Sequence, residues 1–231
     1  AASLVGGGSN PRPGEVSLAH HGVLFLDEIP EFPRKTLDVL RQPIEDGVAN
    51  ISRINYSVAY PCRFMLVAAA NPCKCGYYGD FTKKCTCSFR DAENYLSRLS
   101  GPLMDRIDIH IQVPTLKYND IENEMVEESS AEIKKRVNRA RKIQQERYKK
   151  YGIYCNAHLK GSMIKEFCKV DEKGKKVLKN AFDTLNLSAR AYDRILKVAR
   201  TIADMEQSEN INSRHISEAI QYRALDRALR V

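Results

Sequence analysis

Two adjacent carboxylates, Asp27 and Glu28, close the short apolar run Val23-Leu24-Phe25-Leu26. In an open α/β sheet, ligands sit at the carboxyl ends of the strands, so a pair of acids there has a natural division of labour. One can hold a Mg²⁺ ion with its water shell, and the other can polarise an attacking water for phosphoryl transfer. Taken alone, the same residues equally describe a buried strand that ends in an acidic turn. A second apolar run, Phe64 to Ala70, ends in Asn71-Pro72. A neutral amide at that point can orient a water or a phosphate without adding charge, although Asn-Pro is also an ordinary turn. Arg106 stands just before the alternating segment Ile107 to Val113, and alone it reads as a surface ion pair with Asp105 or Asp108.

The other chemical cluster is Cys73-Lys74-Cys75 and Cys85-Thr86-Cys87, two Cys-x-Cys pairs separated by nine residues that include Gly76 and Gly79. Four thiolates on a tight polar loop can surround a tetrahedral Zn²⁺; the alternative is a set of reduced thiols. The chain has seven Cys, an odd number, and the clustering of four suits a metal site in a reducing compartment better than a disulfide framework. Cys62, Cys155 and Cys168 are isolated and read as ordinary core or half-exposed residues. The five scattered His are assigned no chemistry.

These side chains need elements to hold them. The two apolar runs are short and dense, as in strands buried on both faces of a parallel sheet. Between them, Leu37, Leu40 and Ile44 suit a helix started near Pro33, which makes a strand, helix, strand order. Gly47 to Pro61 alternates in part and is bounded by Gly and Pro, predicting a hairpin. It carries Arg53 and Tyr56, a cation beside an aromatic that could grip a phosphate backbone and stack on a base; a plain structural hairpin is the alternative. Ile107, Ile109, Ile111 and Val113 predict a last strand, closed by Pro114.

Beyond Pro114 the pattern is helical. No Gly or Pro occurs from Asn119 to Tyr151, where Ile133, Val137, Ala140, Ile143 and Tyr148 recur at helical spacing. Ser188 predicts the N-cap of a helix through Met205, with Ala191, Ile195, Val198, Ile202 and Met205 on one face. Ser213 predicts a cap for a helix with Ile216, Ala219, Ile220 and Leu225 on its apolar face. The expectation is therefore an α/β part, residues 1–114, followed by an all-helical part, residues 115–231.

Composition narrows the class. The chain has 231 residues, 43% hydrophobic and 29% charged, which excludes collagenous, low-complexity and wholly disordered chains. It has no apolar run of the length a membrane span needs, and no leader opens it, so it reads as cytoplasmic. The formal net charge of +8 is unevenly placed. Residues 1–114 hold 12 basic and 12 acidic side chains, and residues 115–231 hold 25 and 17. A basic second half suggests an anionic partner, commonly nucleic acid; Lys-rich solvated helix faces are the bland alternative.

The order and spacing of Asp27-Glu28, Asn71 and Arg106 resemble the Walker B, sensor 1 and arginine-finger series of AAA+ ATPases. Narrower words, Gly14 to His20, Leu24 to Glu28, Ala70 to Cys73 and Ser100 to Asp108, resemble the magnesium-chelatase-like, ComM-type ATPases. The likeness continues at Leu187 to Arg194, where that family has a sensor 2 arginine, and so covers nearly the whole chain. It implies that Asp27 helps bind Mg²⁺, Glu28 activates water and Asn71 is sensor 1. Arg106 would be a finger reaching the neighbouring subunit's ATP, and Arg190 would contact nucleotide from a helical lid. For Arg98 and Arg194 a structural ion pair is an equal reading.

The same resemblance implies a partial AAA+ parallel sheet with a helical lid, a homo-hexameric ring, and a motor that uses ATP to migrate DNA branches. The Cys-rich loop matches the family pattern and favours this branch over a chelatase subunit that drives Mg²⁺ into a porphyrin. The other rival is a non-catalytic, zinc-stabilised interaction module. One departure is plain: no Gly-x-x-x-x-Gly-Lys-[Ser/Thr] phosphate loop occurs in the chain. The expectation is thus a C-terminal piece of a longer protein, which by itself hydrolyses ATP poorly.

Overall fold

The computed structural model describes residues 2–8, 11–53, 56–80, 82–115 and 128–223. They form two compact units, one extending to Ile107 and the other starting at Asp108.

The first unit begins with α1 (Ala2–Val5), a two-residue pairing of β1 (Gly6–Gly7) with β2 (Arg12–Pro13), and α2 (Glu15–Leu18). Strand β3 (Val23–Leu26) leads through a 3-10 turn at Ile29–Glu31 into α3 (Arg34–Asp38) and α4 (Arg41–Asp46). The hairpin β4 (Val48–Arg53) and β5 (Tyr56–Pro61) follows, then β6 (Met65–Ala68), α5 (Phe89–Leu96) and α6 (Gly101–Met104). Strands β3 and β6 pair in parallel, from Val23 opposite Met65 to Leu26 opposite Ala68. The predicted strand, helix, strand crossover and the hairpin are both present.

Three expectations change. Strand β3 is buried on one face only: Leu24 and Leu26 pack with Leu37, Leu40, Leu99 and Leu103, while Val23 and Phe25 are 57% and 58% exposed. Dense apolarity does not reveal that only alternate side chains meet the core. The single helix expected from Pro33 is two helices broken at Val39–Leu40. Pro43 explains the break, because it lacks an N–H and its ring excludes the carbonyl four residues back, that of Val39. Gly47 then closes α4 in the left-handed conformation, φ 68°, where an added Cβ would lie 2.9 Å from the Arg63 side chain.

The predicted last strand is the third. Residues 107–115 form no strand, since alternation supplies a pattern but a strand also needs a ladder partner, and none of the described residues provides one. The burial order is inverted as well. His110 is buried and its amide donates to the Tyr222 carbonyl at 2.8 Å, whereas Ile111 and Val113 are 66% and 82% exposed.

The second unit is helical: α7 (Ser130–Tyr148), α8 (Ser162–Phe167), α9 (Glu172–Leu185), α10 (Ala189–Met205) and α11 (Ser213–Gln221). Ser129 and Glu132 form a capping box at the start of α7, and Ser188 accepts from the Ala191 amide at the start of α10. The cap of α11 is Asn212 rather than Ser213; its side chain accepts from the amides of Arg214 and His215. Leu225 of the predicted apolar face, and residues 119–127 of the predicted long helix, lie outside the described residues.

Helix α10 is the centre of this unit, burying Ala191, Ile195, Leu196, Ala199, Ile202 and Ala203. Val198 is half-buried and Met205 is exposed. Beside the apolar core lies a buried polar network around Asp204. Its carboxylate accepts from Arg147 Nη1 at 3.0 Å, Arg200 Nε at 3.1 Å and Asn156 Nδ2 at 2.9 Å. Arg200 also donates to the Ser208 and Glu209 carbonyls, and Tyr148 donates to Asn156 Oδ1 at 2.7 Å. With every partner satisfied, the network ties the ends of α7 and α10 together at a defined register.

Candidate functional site

The parallel pairing of β3 with β6 brings their carboxyl ends together. The bonding continues past the strands: the Ala69 amide donates to the Leu26 carbonyl, and the Ile29 amide donates to the Ala69 carbonyl, both at 2.9 Å. Asp27 and Glu28 are thereby held beside Ala69-Ala70-Asn71, and all three polar residues are exposed. Glu28 adopts φ 47°, ψ 45°, the left-handed region, and its amide donates to Asp27 Oδ1 at 2.9 Å. Strain of this kind in a non-glycine residue persists only where the surrounding structure over-determines it, and it clusters at functional sites.

A shallow depression of about 260 Å³ at this strand end is lined by Asp27, Glu28, Glu31, Phe32 and Pro33. Three carboxylates around one hollow suit a hydrated divalent cation, which takes oxygen ligands and keeps several of its waters. Glu31 is not a sequence-predicted member. Its place three residues after Glu28, one helical turn on, is the signal that could have found it. Glu31 is also held in place, accepting from Arg98 Nη1 at 3.2 Å while the same guanidinium donates to the Pro30 carbonyl. Arg98 is therefore a structural partner in this unit. Burial of Tyr95, helped by its hydrogen bond to Glu31, raises the phenol above its ordinary range.

Arg106 follows α6, and its side chain is 9% exposed. Its carboxylate partner is Glu45 rather than Asp105 or Asp108: its Nε and Nη2 both donate to Glu45, and Nη1 donates to the Pro102 carbonyl at 2.7 Å. Glu45, sixty-one residues away in sequence, is invisible to local reasoning. In the other unit, Arg194 is paired with Asp108, and Arg190 lies exposed in the first turn of α10. The side chains of Arg53 and Tyr56, at the hairpin tip, lie outside the described residues.

The four predicted cysteines converge. All four sulfurs lie within 4.8 Å of one another. Cys73 to Cys75 and Cys75 to Cys85 are each 3.4 Å, and Cys73 to Cys85 is 3.7 Å. Four thiolates at about 2.3 Å from a tetrahedral Zn²⁺ stand about 3.8 Å apart, so the set is already near that geometry. Amides of Tyr77 and Thr86 donate to Cys75 and pull its thiol down to about 5, whereas desolvation pushes Cys85 up to about 12. Negative charge is focused on Cys75, and Cys85 keeps a proton that a bound metal would displace. The loop starts two residues after Asn71 and ends at Ser88, which makes a capping box with Asp91 on α5.

Comparison with known proteins shows the family. A model of the family described as magnesium chelatase, subunit ChlI, matches residues 1–121, and a model of the C-terminal part of that subunit matches residues 127–223. The chain belongs to the magnesium chelatase ChlI family. Within the family it is 47% identical over 228 residues to "Uncharacterized protein YifB" of Escherichia coli and to "Competence protein ComM" of Haemophilus influenzae, covering 98% of this chain and 44% of each relative. The magnesium-chelatase subunit ChlI-1 of Arabidopsis thaliana is 27% identical over 117 residues, 51% of this chain and 22% of that protein. This member of the family thus spans under half the length of the curated relatives it matches. Among the described residues, no helix is long and apolar enough to cross a membrane.

Proposed function

We propose that this chain is part of a cytoplasmic AAA+ ATPase subunit that couples ATP hydrolysis to DNA remodelling, with branch migration as the specific activity. The observation that carries the reading is the strand-end cluster of Asp27, strained Glu28 and Asn71. Asp27 holds Mg²⁺ on ATP, Glu28 polarises the attacking water, and Asn71 senses the terminal phosphate. Arg106 serves the nucleotide of a neighbouring subunit in a homo-hexameric ring, and Arg190 contacts nucleotide from the lid. Residues 1–114 supply part of the core and residues 115–231 the lid. An arginine provided in trans neutralises transition-state charge and is worth about 10³–10⁵ in rate.

DNA as the substrate is supported by the basic second half and by similarity to a competence protein along 98% of the chain. Similarity to a chelatase subunit is weaker and covers half of it. Cys73, Cys75, Cys85 and Cys87 hold Zn²⁺, which supplies a structural tie between the end of β6 and α5.

The test is ATP hydrolysis by the complete protein with and without branched DNA, across a salt series. Stimulation by DNA that weakens with salt supports the motor. Turnover indifferent to DNA and stimulated by porphyrin with Mg²⁺ would make the protein a chelatase subunit. Glu28→Gln is expected to abolish turnover while sparing ATP binding.

A further inference from the structure

The basic residues of the second unit fall into two groups. Those near its core are neutralised, Arg147 and Arg200 by Asp204 and Arg194 by Asp108, and on the surface Arg136 pairs with Glu128. Helix α7 is different along its outer face. It carries seven basic and two acidic residues, and only Ala140, Gln144 and Tyr148 are buried. Lys135, Arg139 and Lys142 are spaced i, i+4, i+7, on the side opposite that buried stripe, and all three are exposed. None has a carboxylate partner among the described residues, and Glu132, the nearest acid before them, is committed to the capping box with Ser129.

Like charges at i, i+4 and i, i+3 repel and cost a helix stability. Here both spacings occur, Lys135 with Arg139 and Arg139 with Lys142, and the next acid on that side, the exposed Glu146, follows only one turn after Lys142. A polyanion laid along the face would relieve that repulsion. At 1.5 Å per residue the three charges cover about 10 Å of helix axis, a length over which one strand of a duplex presents about three phosphates. Lys149 and Lys150, both exposed, continue the positive surface beyond the helix end.

We infer that the outer face of α7, carrying Lys135, Arg139 and Lys142, is a docking surface for the phosphate backbone of nucleic acid, made of residues other than those assigned to the nucleotide. The inference rests on the DNA reading above and names where in the second unit the backbone is held. Contacts of this type bind without regard to base sequence and position the strand.

The experiment uses the complete protein and two triple variants, with fluorescence anisotropy of a labelled branched DNA from about 50 to 200 mM salt. One variant is Lys135→Gln/Arg139→Gln/Lys142→Gln. The other, Lys173→Gln/Lys176→Gln/Lys179→Gln, removes the same charge from exposed positions on α9. The α7 variant is expected to bind at least tenfold more weakly at the lowest salt, and its slope of log K against log salt should be shallower by about 2–3, as expected for three lost phosphate contacts. The α9 variant should keep the wild-type slope, and both should keep wild-type helicity by circular dichroism and wild-type ATP hydrolysis without DNA. A wild-type slope for the α7 variant, or equal losses in both variants, overturns the surface while leaving the DNA reading intact. Absence of DNA binding by the unsubstituted protein removes the DNA reading and this surface with it.

Discussion

Glu28 offers a test in which the sign, not only the size, is decided by the structure. An L-residue in the left-handed region costs about 1–2 kcal/mol relative to right-handed backbone. Glu28 is exposed, so shortening it removes no core packing. Glu28→Ala and Glu28→Gly both delete the carboxylate, and they differ only at Cβ. At an ordinary position, Gly is less stable than Ala by about 0.5–1 kcal/mol, because the unfolded chain gains more freedom. At φ 47°, ψ 45°, Gly is relieved of the left-handed penalty that Ala retains. Subtracting the entropy from the relief leaves Glu28→Gly more stable than Glu28→Ala by about 0.5–1 kcal/mol. Urea denaturation of the two variants reads this as a higher midpoint for Gly at unchanged slope. An Ala variant as stable as the Gly variant, or more so, refutes the strained turn. Under the proposed role both variants also lose ATP turnover in the complete protein, so stability and activity separate at one residue.

Other consequences follow from buried and clustered groups. Asp204→Ala removes the buried carboxylate shared by two guanidiniums and the Asn156 amide, and should destabilise the second unit by about 3–5 kcal/mol in urea titrations, with Asp204→Asn costing less; a loss below 1 kcal/mol would show that the network is dispensable. Purified protein should carry one zinc per chain by elemental analysis, lost in Cys75→Ser/Cys85→Ser, and zinc affinity should rise with pH because Cys85 must give up a proton. Retention of metal by the double variant would rule out this ligand set. Glu206 is held below the ordinary carboxylate range by its hydrogen bond to His215 and by Arg214. A depressed carboxyl pKa contributes stability that is complete above the unfolded value, about 4.3, and is lost as pH falls through the folded value. Glu206→Gln should therefore flatten the acid limb of the stability profile, and an unchanged limb would contradict the pairing.

Much of the candidate site was legible because its signals are local. An apolar run ending in two acids, a second run ending in Asn71, and two Cys-x-Cys pairs are statements about neighbouring residues, and parallel pairing then needs only a crossover to bring the strand ends together. The Ser188 cap and the α10 stripe were readable for the same reason, since capping and helical periodicity act within a few residues. Pro43 also carried its message openly, but helical spacing on both sides masked it.

What the tertiary structure alone decided are the matters of partnership. Arg106 meets Glu45, Arg98 meets Glu31, and Arg147 and Arg200 share Asp204, across separations of up to sixty-seven residues in the first unit and fifty-seven in the second. A charged side chain has many possible partners within reach of a flexible chain, and only folding selects one. The strand expected at Ile107 to Val113 fails on the same ground: alternation is a property of the segment, whereas a ladder is a property of two. The left-handed turn at Glu28 is likewise imposed from outside, by the bonds from Ala69 to Leu26 and from Ile29 to Ala69, because no local preference of glutamate would choose it.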